Sequence, residues 1–322
     1  MNEASGALTP KTVQGIAFLV LGLAVFSLQD VIMKLFSSSI ALQEVIFLRG
    51  VLMLAIIGVL IYQNGGRRAF VTQRLFLCLF RGLAGFLCFT TFSMALAVLP
   101  LADAMPLYYT SPLFVVLLAA PFLGERVGIK SLIAILVGFA GVILVARPSL
   151  RGVEPAMFLA LVAAISYSAQ SLLARKLGAT ESALTMTFYS QVAFVLLSGT
   201  TALVFGAGGL DQFDHPSFQY LFRAWTLPTP EQVFLIGLLG IIGTIGFLCI
   251  SQAYRLGKAS LVAPFEYSSL PYAVFWGWLF WGAIPGGLTI AGSLLIVAGG
   301  VYALNGELWR KETKMQSGER AQ

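Results

Sequence analysis

Apolar runs of similar length, broken by short polar joins, make up most of this chain. From about residue 12 to 306 the sequence goes some twenty residues at a time with almost no charge, then turns over a few polar, glycine or proline positions. A helix crossing a bilayer needs about 20 mainly apolar residues, because an unpaired backbone group in hydrocarbon is too costly. That length predicts ten spans, at 12–36, 41–62, 75–97, 101–123, 128–147, 154–174, 182–206, 232–254, 259–281 and 286–306. The joins Gly124–Val127 and Gly282–Pro285 are the tightest. The first run is too long for a secretory signal and leads into Asp30 and Lys34 instead of a small-residue cleavage site, so it reads as a retained helix.

Composition agrees with the pattern. Of 322 residues, 58% are hydrophobic and 11% charged, with a mean hydropathy of +0.88. Soluble domains carry about 25% charged residues, so this inventory cannot cover a water-facing surface. The fold class expected is all-α integral membrane, with ten transmembrane helices. The three cysteines, Cys78, Cys88 and Cys249, all fall inside apolar runs and read as small packing residues.

Charge then orients the spans. Fourteen of the Lys and Arg residues flank the spans on the side of the termini, four lie on the opposite side, and Arg49 and Arg81 are left inside spans. By the positive-inside rule this places both termini in the cytoplasm of a multi-pass protein of the cell inner membrane. The same flanks explain the pI of about 9.3, so nucleic acid is not an expected partner.

Sliding the chain against itself by 158 residues lays PLYYTSPLF (106–114) over PFEYSSLPY (264–272). Pro106 meets Pro264, Tyr109 meets Tyr267, Ser111 meets Ser269 and Gly124 meets Gly282. The fourth and ninth spans hold the same rank in each half, which predicts a repeat of five spans. Since five is odd, the two halves enter the membrane from opposite sides and the repeats are inverted. Secondary transporters commonly place a substrate site near the midplane between such repeats. The expected organisation is a cytoplasmic N-terminal tail (1–11), a first five-helix repeat (12–147), a linker (148–153), a second repeat (154–306) and a basic cytoplasmic tail (307–322).

Several stretches also resemble a known family: DVIMK (30–34), EVIFLRG (44–50), LPLADAMPLYYTSPLFVVLLAAPFLGER (99–126) and ILVGFAGVILVARP (135–148). Over 12–306 the chain is similar to the drug/metabolite transporter superfamily, in its EamA-like branch of ten spans and two repeats. The resemblance implies a secondary transporter of a small polar organic metabolite. Asp30, Lys34 and the Phe-x-Arg of Phe47 and Arg49 look closest to bacterial members that take up S-adenosylmethionine or riboflavin. Export of amino acids, metabolites or drugs is the alternative within the wider family. Where the family often has Gly-Glu after its ninth span, this chain has Gly282-Ala283, so a role for that glutamate does not carry over.

Glu266 leads the candidate site residues. An ionised group deep in a membrane is costly and usually serves a pathway or a partner, and a buried carboxyl can hold a proton and release it when water or a cation arrives. Protons are therefore the candidate coupling ion. The plainer alternative is a hydrogen bond to a freed backbone group. Pro112 and Pro271 are expected to break their helices and free the carbonyls of Tyr108 and Tyr267. With Pro106 and Pro264, they mark two helix breaks at equivalent ranks. The repeat sets Tyr108 opposite Glu266, a pairing suited to a flat cationic ligand, or to each other alone.

Tyr109, Tyr267, Ser111 and Ser269 complete the two walls. Asp30 and Lys34, four apart on one helix face, can form a salt bridge or serve substrate. Arg49 needs a partner from another helix, whereas Arg81 can snorkel. Gln170 and Gln252 are candidate lining, as are Tyr167, Tyr189, Gln191 and Tyr254, though interhelical hydrogen bonds suit all of these equally. Glycines 237, 240, 243 and 246 mark a smooth helix surface. His215 lies in the long loop 207–231 and reads as solvated.

No GxxxxGK[ST], HExxH or GxSxG is present. Neither a cofactor nor a metal is expected. The partners expected are a small-molecule substrate and the lipid bilayer. An intramembrane enzyme and a non-transporting scaffold are the more distant alternatives.

Overall fold

The structure, a computed structural model, describes residues 10–123, 129–146, 154–178, 180–206, 214–257, 262–299 and 302. Residues 1–9 of the expected tail, the linker 148–153 and the tail 307–322 lie outside the described residues. Helices occur in all ten predicted segments. Among the described residues, six are single helices long and apolar enough to cross a membrane: α1 (Pro10–Phe36), α2 (Leu42–Gly65), α3 (Leu75–Leu96), α7 (Pro155–Leu177), α8 (Ala183–Phe205) and α10 (Pro230–Leu256). Between α3 and α7 lie α4 (Leu101–Tyr108), α5 (Ser111–Leu123) and α6 (Ile129–Ala146). The short α9 (Pro216–Phe222) sits in the loop before α10, and α11 (Leu270–Trp281) and α12 (Gly287–Gly299) follow it.

The burial pattern is inverted relative to a soluble protein. Leu203, Phe76 and Phe234 face outward, while Arg49, Arg81, Glu266, Gln191 and Ser190 are buried. In lipid, apolar groups face out at no cost, and polar ones turn inward to find partners.

Without a water-driven hydrophobic effect between helices, close approach at small residues supplies the packing. α10 lies along α1, where Gly246 fits against Phe26 and Gly22 against Cys249. Elsewhere on α10, Gly240 and Gly243 receive Leu52 and Met53 of α2, whereas Gly237 faces open space. A three-residue spacing steps round the helix, so the glycine row contacts two neighbours in turn. α3 lies along α7, α2 along α8, and α3 also meets α8 where Gly82 abuts Ser190 and Ala193. At the α6–α12 contact, a Cβ on either Gly141 or Gly292 would stand 2.6 Å from the other residue's carbonyl oxygen.

The fourth and ninth segments are both broken, by a route the prolines alone do not predict. α4 ends in a turn at Tyr109–Thr110, where Thr110 donates through its hydroxyl (2.7 Å) and its N–H (3.2 Å) to the Leu107 carbonyl. α5 then starts with Pro112 as its second residue. In the ninth segment, Ala263–Ser269, which holds Pro264, forms a 3-10 turn, and α11 begins with Pro271 in its first turn. Pro112 and Pro271 thus open new helices, where a missing N–H costs nothing, instead of kinking continuous ones. The Tyr267 carbonyl is not freed either, for it accepts from Leu270 N–H. Pro106 lies inside the short α4. At the far end of α11, Gly282 takes a left-handed conformation (φ 62°), and its N–H closes on Trp278 O (2.9 Å), which makes the tight join possible.

His215 is not merely solvated. It caps α9, accepting from Ser217 N–H (3.3 Å), and its Nε2 meets Glu154 Oε1 at 3.0 Å. α9 packs over one end of the bundle: Ser217 donates to Met94 O (2.7 Å), Tyr220 to Met33 O (3.2 Å) and Arg223 to Ile40 O (3.3 Å).

A glycine series tests this packing. Gly82→Ala drives a methyl into the α8 backbone and is expected to cost about 1–3 kcal/mol. Gly237→Ala meets nothing and is expected to hold or raise stability, by up to about 1 kcal/mol. Thermal unfolding of the purified protein in detergent reads both, and a drop for Gly237→Ala with none for Gly82→Ala would contradict the arrangement.

Candidate functional site

Glu266 sits in the 3-10 turn and has no exposed surface. Its Oε1 accepts from the Tyr254 hydroxyl of α10, and its Oε2 from Ser111 Oγ (3.2 Å) at the start of α5. Ser269 turns back one helical turn and donates to the Glu266 carbonyl (2.5 Å). The Tyr167 hydroxyl on α7 lies beside the same carboxylate without completing a hydrogen bond. Ser168, also on α7, shares its one hydroxyl hydrogen between the Ala164 carbonyl (2.7 Å) and the Ser111 carbonyl (2.8 Å), which tethers the start of α5. One acid therefore ties both broken segments to each other and to α10, and Ser168 adds the link to α7.

A wall of tyrosines adjoins it. Tyr108 lies tilted against Phe92 (4.6 Å between centroids, 36° between planes) and meets Tyr109 (5.2 Å) and Tyr167 (5.5 Å) edge to face. Its hydroxyl lies 3.7 Å from Cys88 Sγ. Tyr108 is thus part of the wall but does not face Glu266, as the repeat alignment suggests it should; Tyr254 does. Tyr109 is buried next to Ser269. Tyr267 turns away, its hydroxyl donating to Ile296 O of α12 (3.4 Å).

Asp30 and Lys34 do not pair. Lys34 Nζ donates to Leu96 O (2.7 Å) and Leu99 O (2.6 Å), and it stands 5.6 Å from the Trp281 ring centre. The carbonyls at the C-terminal end of α3 attract a cation more effectively than a carboxylate one turn back. Asp30, left half-buried, faces the interior near Arg49, Tyr109 and Cys88.

Arg49 is fully buried; its Nη1 donates to Gln29 Oε1 (2.6 Å) and its guanidinium lies 3.7 Å from the Phe89 ring centre. Arg81 does not snorkel. It is 1% exposed, with Nη1 donating to Ser190 Oγ (2.8 Å) and Nη2 to Ser251 Oγ (2.9 Å). Gln170 is buried against Gly85, while Gln252 is half-buried and accepts from Arg255 (3.5 Å), away from Glu266. Tyr189 is a structural tie to Phe70 O (2.7 Å).

Several buried polar atoms in this interior have no hydrogen-bond partner among the described residues: Arg49 Nε and Nη2, Arg81 Nε, the Tyr167 hydroxyl and Gln170 Oε1. Leaving each dry would cost about 1–3 kcal/mol, more for the charged ones. Water or a solute is the partner their chemistry calls for. Sequence reasoning did not assign Cys88, Ser190 and Ser251 to this region, since a small hydroxyl or thiol within an apolar run carries no signal of its own. Tyr254 showed only as one polar residue among several.

The model of the EamA-like transporter family matches this sequence twice, over residues 13–147 and 154–304. The chain belongs to the EamA-like transporter family. This EamA-like protein is a multi-pass membrane protein, and named transporters are among its relatives. It is 28% identical over 285 residues to the pseudopaline exporter CntI of Pseudomonas aeruginosa, covering 88% of this chain and 93% of that one. To a riboflavin transporter of Rhizobium johnstonii it is 31% identical over 219 residues, or 68% and 66%. To an S-adenosylmethionine uptake transporter of Rickettsia prowazekii it is 24% identical over 304 residues, or 94% and 96%. One crystal structure shares the fold at a TM-score of 0.60 and 19% identity, over 92% of this chain and 97% of its own.

For this EamA-like transporter, a double-mutant cycle distinguishes the two roles of Lys34. Lys34→Met is expected to cost about 1.5–3 kcal/mol of stability through the lost carbonyl bonds. Its coupling to Asp30→Asn should stay within about 0.5 kcal/mol. Coupling well above that in detergent unfolding would restore the intrahelical salt bridge.

Proposed function

We propose that this chain is a secondary active transporter that carries a small polar organic metabolite across the bacterial inner membrane by alternating access, in the direction of uptake. Its substrate is of the S-adenosylmethionine or riboflavin type. The observation that carries the reading is Glu266: a buried acid at the break of one segment, bonded to Ser111 at the break of the other. Helix breaks near the midplane are where secondary transporters place their solute sites. Tyr108, Tyr109, Ser111 and Ser269 line this one, with Arg49, Asp30 and Gln170 nearby. Glu266 exchanges a proton or a substrate cation as access switches sides.

The proposed architecture is ten spans in two inverted five-helix repeats, 12–147 and 154–306, with both termini cytoplasmic. The two family matches support it. So does the packing: exchanging the halves turns the α1–α10 contact into α7–α3, and α3–α8 into α10–α2. The charge bias of fourteen against four supports the orientation.

Export is the second reading, favoured by the likeness to the pseudopaline exporter over nearly the whole chain. Uptake and efflux from proteoliposomes under imposed gradients separate the two. In the same assay Glu266→Gln is expected to lower flux about tenfold or more while leaving folded protein in the membrane. Absence of solute flux under any gradient would sink the transporter reading; unchanged kinetics in the variant would remove Glu266 from it.

A further inference from the structure

The charged side chains around the two helix breaks and the neighbouring interior are not equally committed. Glu266 has both oxygens occupied, by Tyr254 and Ser111. Arg81 has both terminal nitrogens on serine hydroxyls. Arg49 and Asp30 are different. Arg49 has no exposed surface, yet Nε and Nη2, one edge of its fork, have no acceptor among the described residues. Asp30, next in sequence to the Gln29 that holds Nη1, makes no side-chain hydrogen bond or ion pair among the described residues, and it is half-buried. The two charges lie near each other but form no ion pair.

Within the transporter reading, and resting on it, we infer that Arg49 and Asp30 together recognise the head group of an amino-acid-type zwitterion. The free edge of the guanidinium takes the carboxylate, since two parallel N–H donors match two carboxylate oxygens. Asp30 takes the adjacent ammonium. Gln29 and the Phe89 ring, 3.7 Å from the guanidinium, hold the fork in place. A lone anion would leave Asp30 repelled, and a lone cation would leave Arg49 uncompensated, so the pair selects a solute that brings both charges. Asp30 also neighbours Tyr109 and Cys88, which connect it to the tyrosine wall. The body of the solute then lies along Tyr109 and Tyr108 toward Glu266. Riboflavin carries neither head-group charge and is disfavoured by this arrangement.

The test compares binding by the full-length protein in detergent, read as a ligand-induced rise in melting temperature. The probes are the twenty amino acids, S-adenosylmethionine, its decarboxylated analogue and riboflavin. Native protein is expected to bind one or more of the zwitterions, and S-adenosylmethionine about 10- to 100-fold more tightly than the decarboxylated form. Arg49→Gln should narrow that ratio to within about threefold, and Arg49→Lys, which keeps the charge but loses the fork, should fall between. If Arg49→Gln does not fold, the comparison on native protein still decides. Equal binding of the decarboxylated analogue, tighter binding of riboflavin, or no binding of any zwitterion would overturn the proposal. An unchanged ratio in folded Arg49→Gln would do the same. Proteoliposome flux is measured separately. Selective binding without flux under any gradient would defeat the transport reading and leave the recognition point standing.

Discussion

The hydrogen bonds on Glu266 are the interaction on which the interior of this protein depends. A carboxylate without exposed surface has no water of its own, so the chain must supply donors. It does so from α10 through Tyr254 and from the start of α5 through Ser111, while Ser168 of α7 holds Ser111 in place. Those donors can converge only because the segments carrying Glu266 and Ser111 are not continuous helices. In an unbroken helix the backbone is used up internally, and successive side chains diverge around the axis. The 3-10 turn of Ala263–Ser269 and the turn at Tyr109–Thr110 are thus structural conditions for the acid, as much as local consequences of proline.

The rest of the packing brings the helices close enough for this to hold. Gly82 against Ser190, Gly85 against Gln170 and Gly246 against Phe26 leave room where a neighbouring backbone or side chain must approach. Two of these approaches also concern polar groups. Ser190 is an acceptor for Arg81, and Gln170 is followed on α7 by Ser171, which lies close to the Tyr254 that holds Glu266. Small residues therefore do two things at once: they supply van der Waals contact in a medium without hydrophobic drive, and they set the depth at which buried polar groups meet.

The segments and the two breaks were legible in the sequence; most of the partnerships were not. Length and apolarity report directly on what lipid requires, so the predicted boundaries fall within a few residues of the helices wherever residues are described. The shift of 158 residues points to both breaks because proline and its polar neighbours recur at the same rank. Spacing within one helix, by contrast, says only which side chains could meet. Asp30 and Lys34 stand one turn apart, but Lys34 reaches the carbonyls that end α3, and these are invisible in a one-dimensional pattern. A place near a span end predicts that Arg81 reaches outward. Serines on α8 and α10, more than a hundred residues later in the chain, hold it inside.

Arg81 shows why an interior of this kind need not be a set of salt bridges. Its two terminal nitrogens are satisfied by neutral hydroxyls, with Thr187 extending the network to Ser251 (3.1 Å). Neutral acceptors stabilise a buried cation without cancelling its charge, so its field still reaches across a low-dielectric interior. A carboxylate partner would have neutralised that field and removed a second charge from water at further cost. Arg49, Arg81 and Glu266 are consequently held by hydroxyls, an amide and an aromatic face and not by each other. An interior wired in this way keeps its electrostatic character available to a solute, and that solute's own charges can complete what the protein has left open.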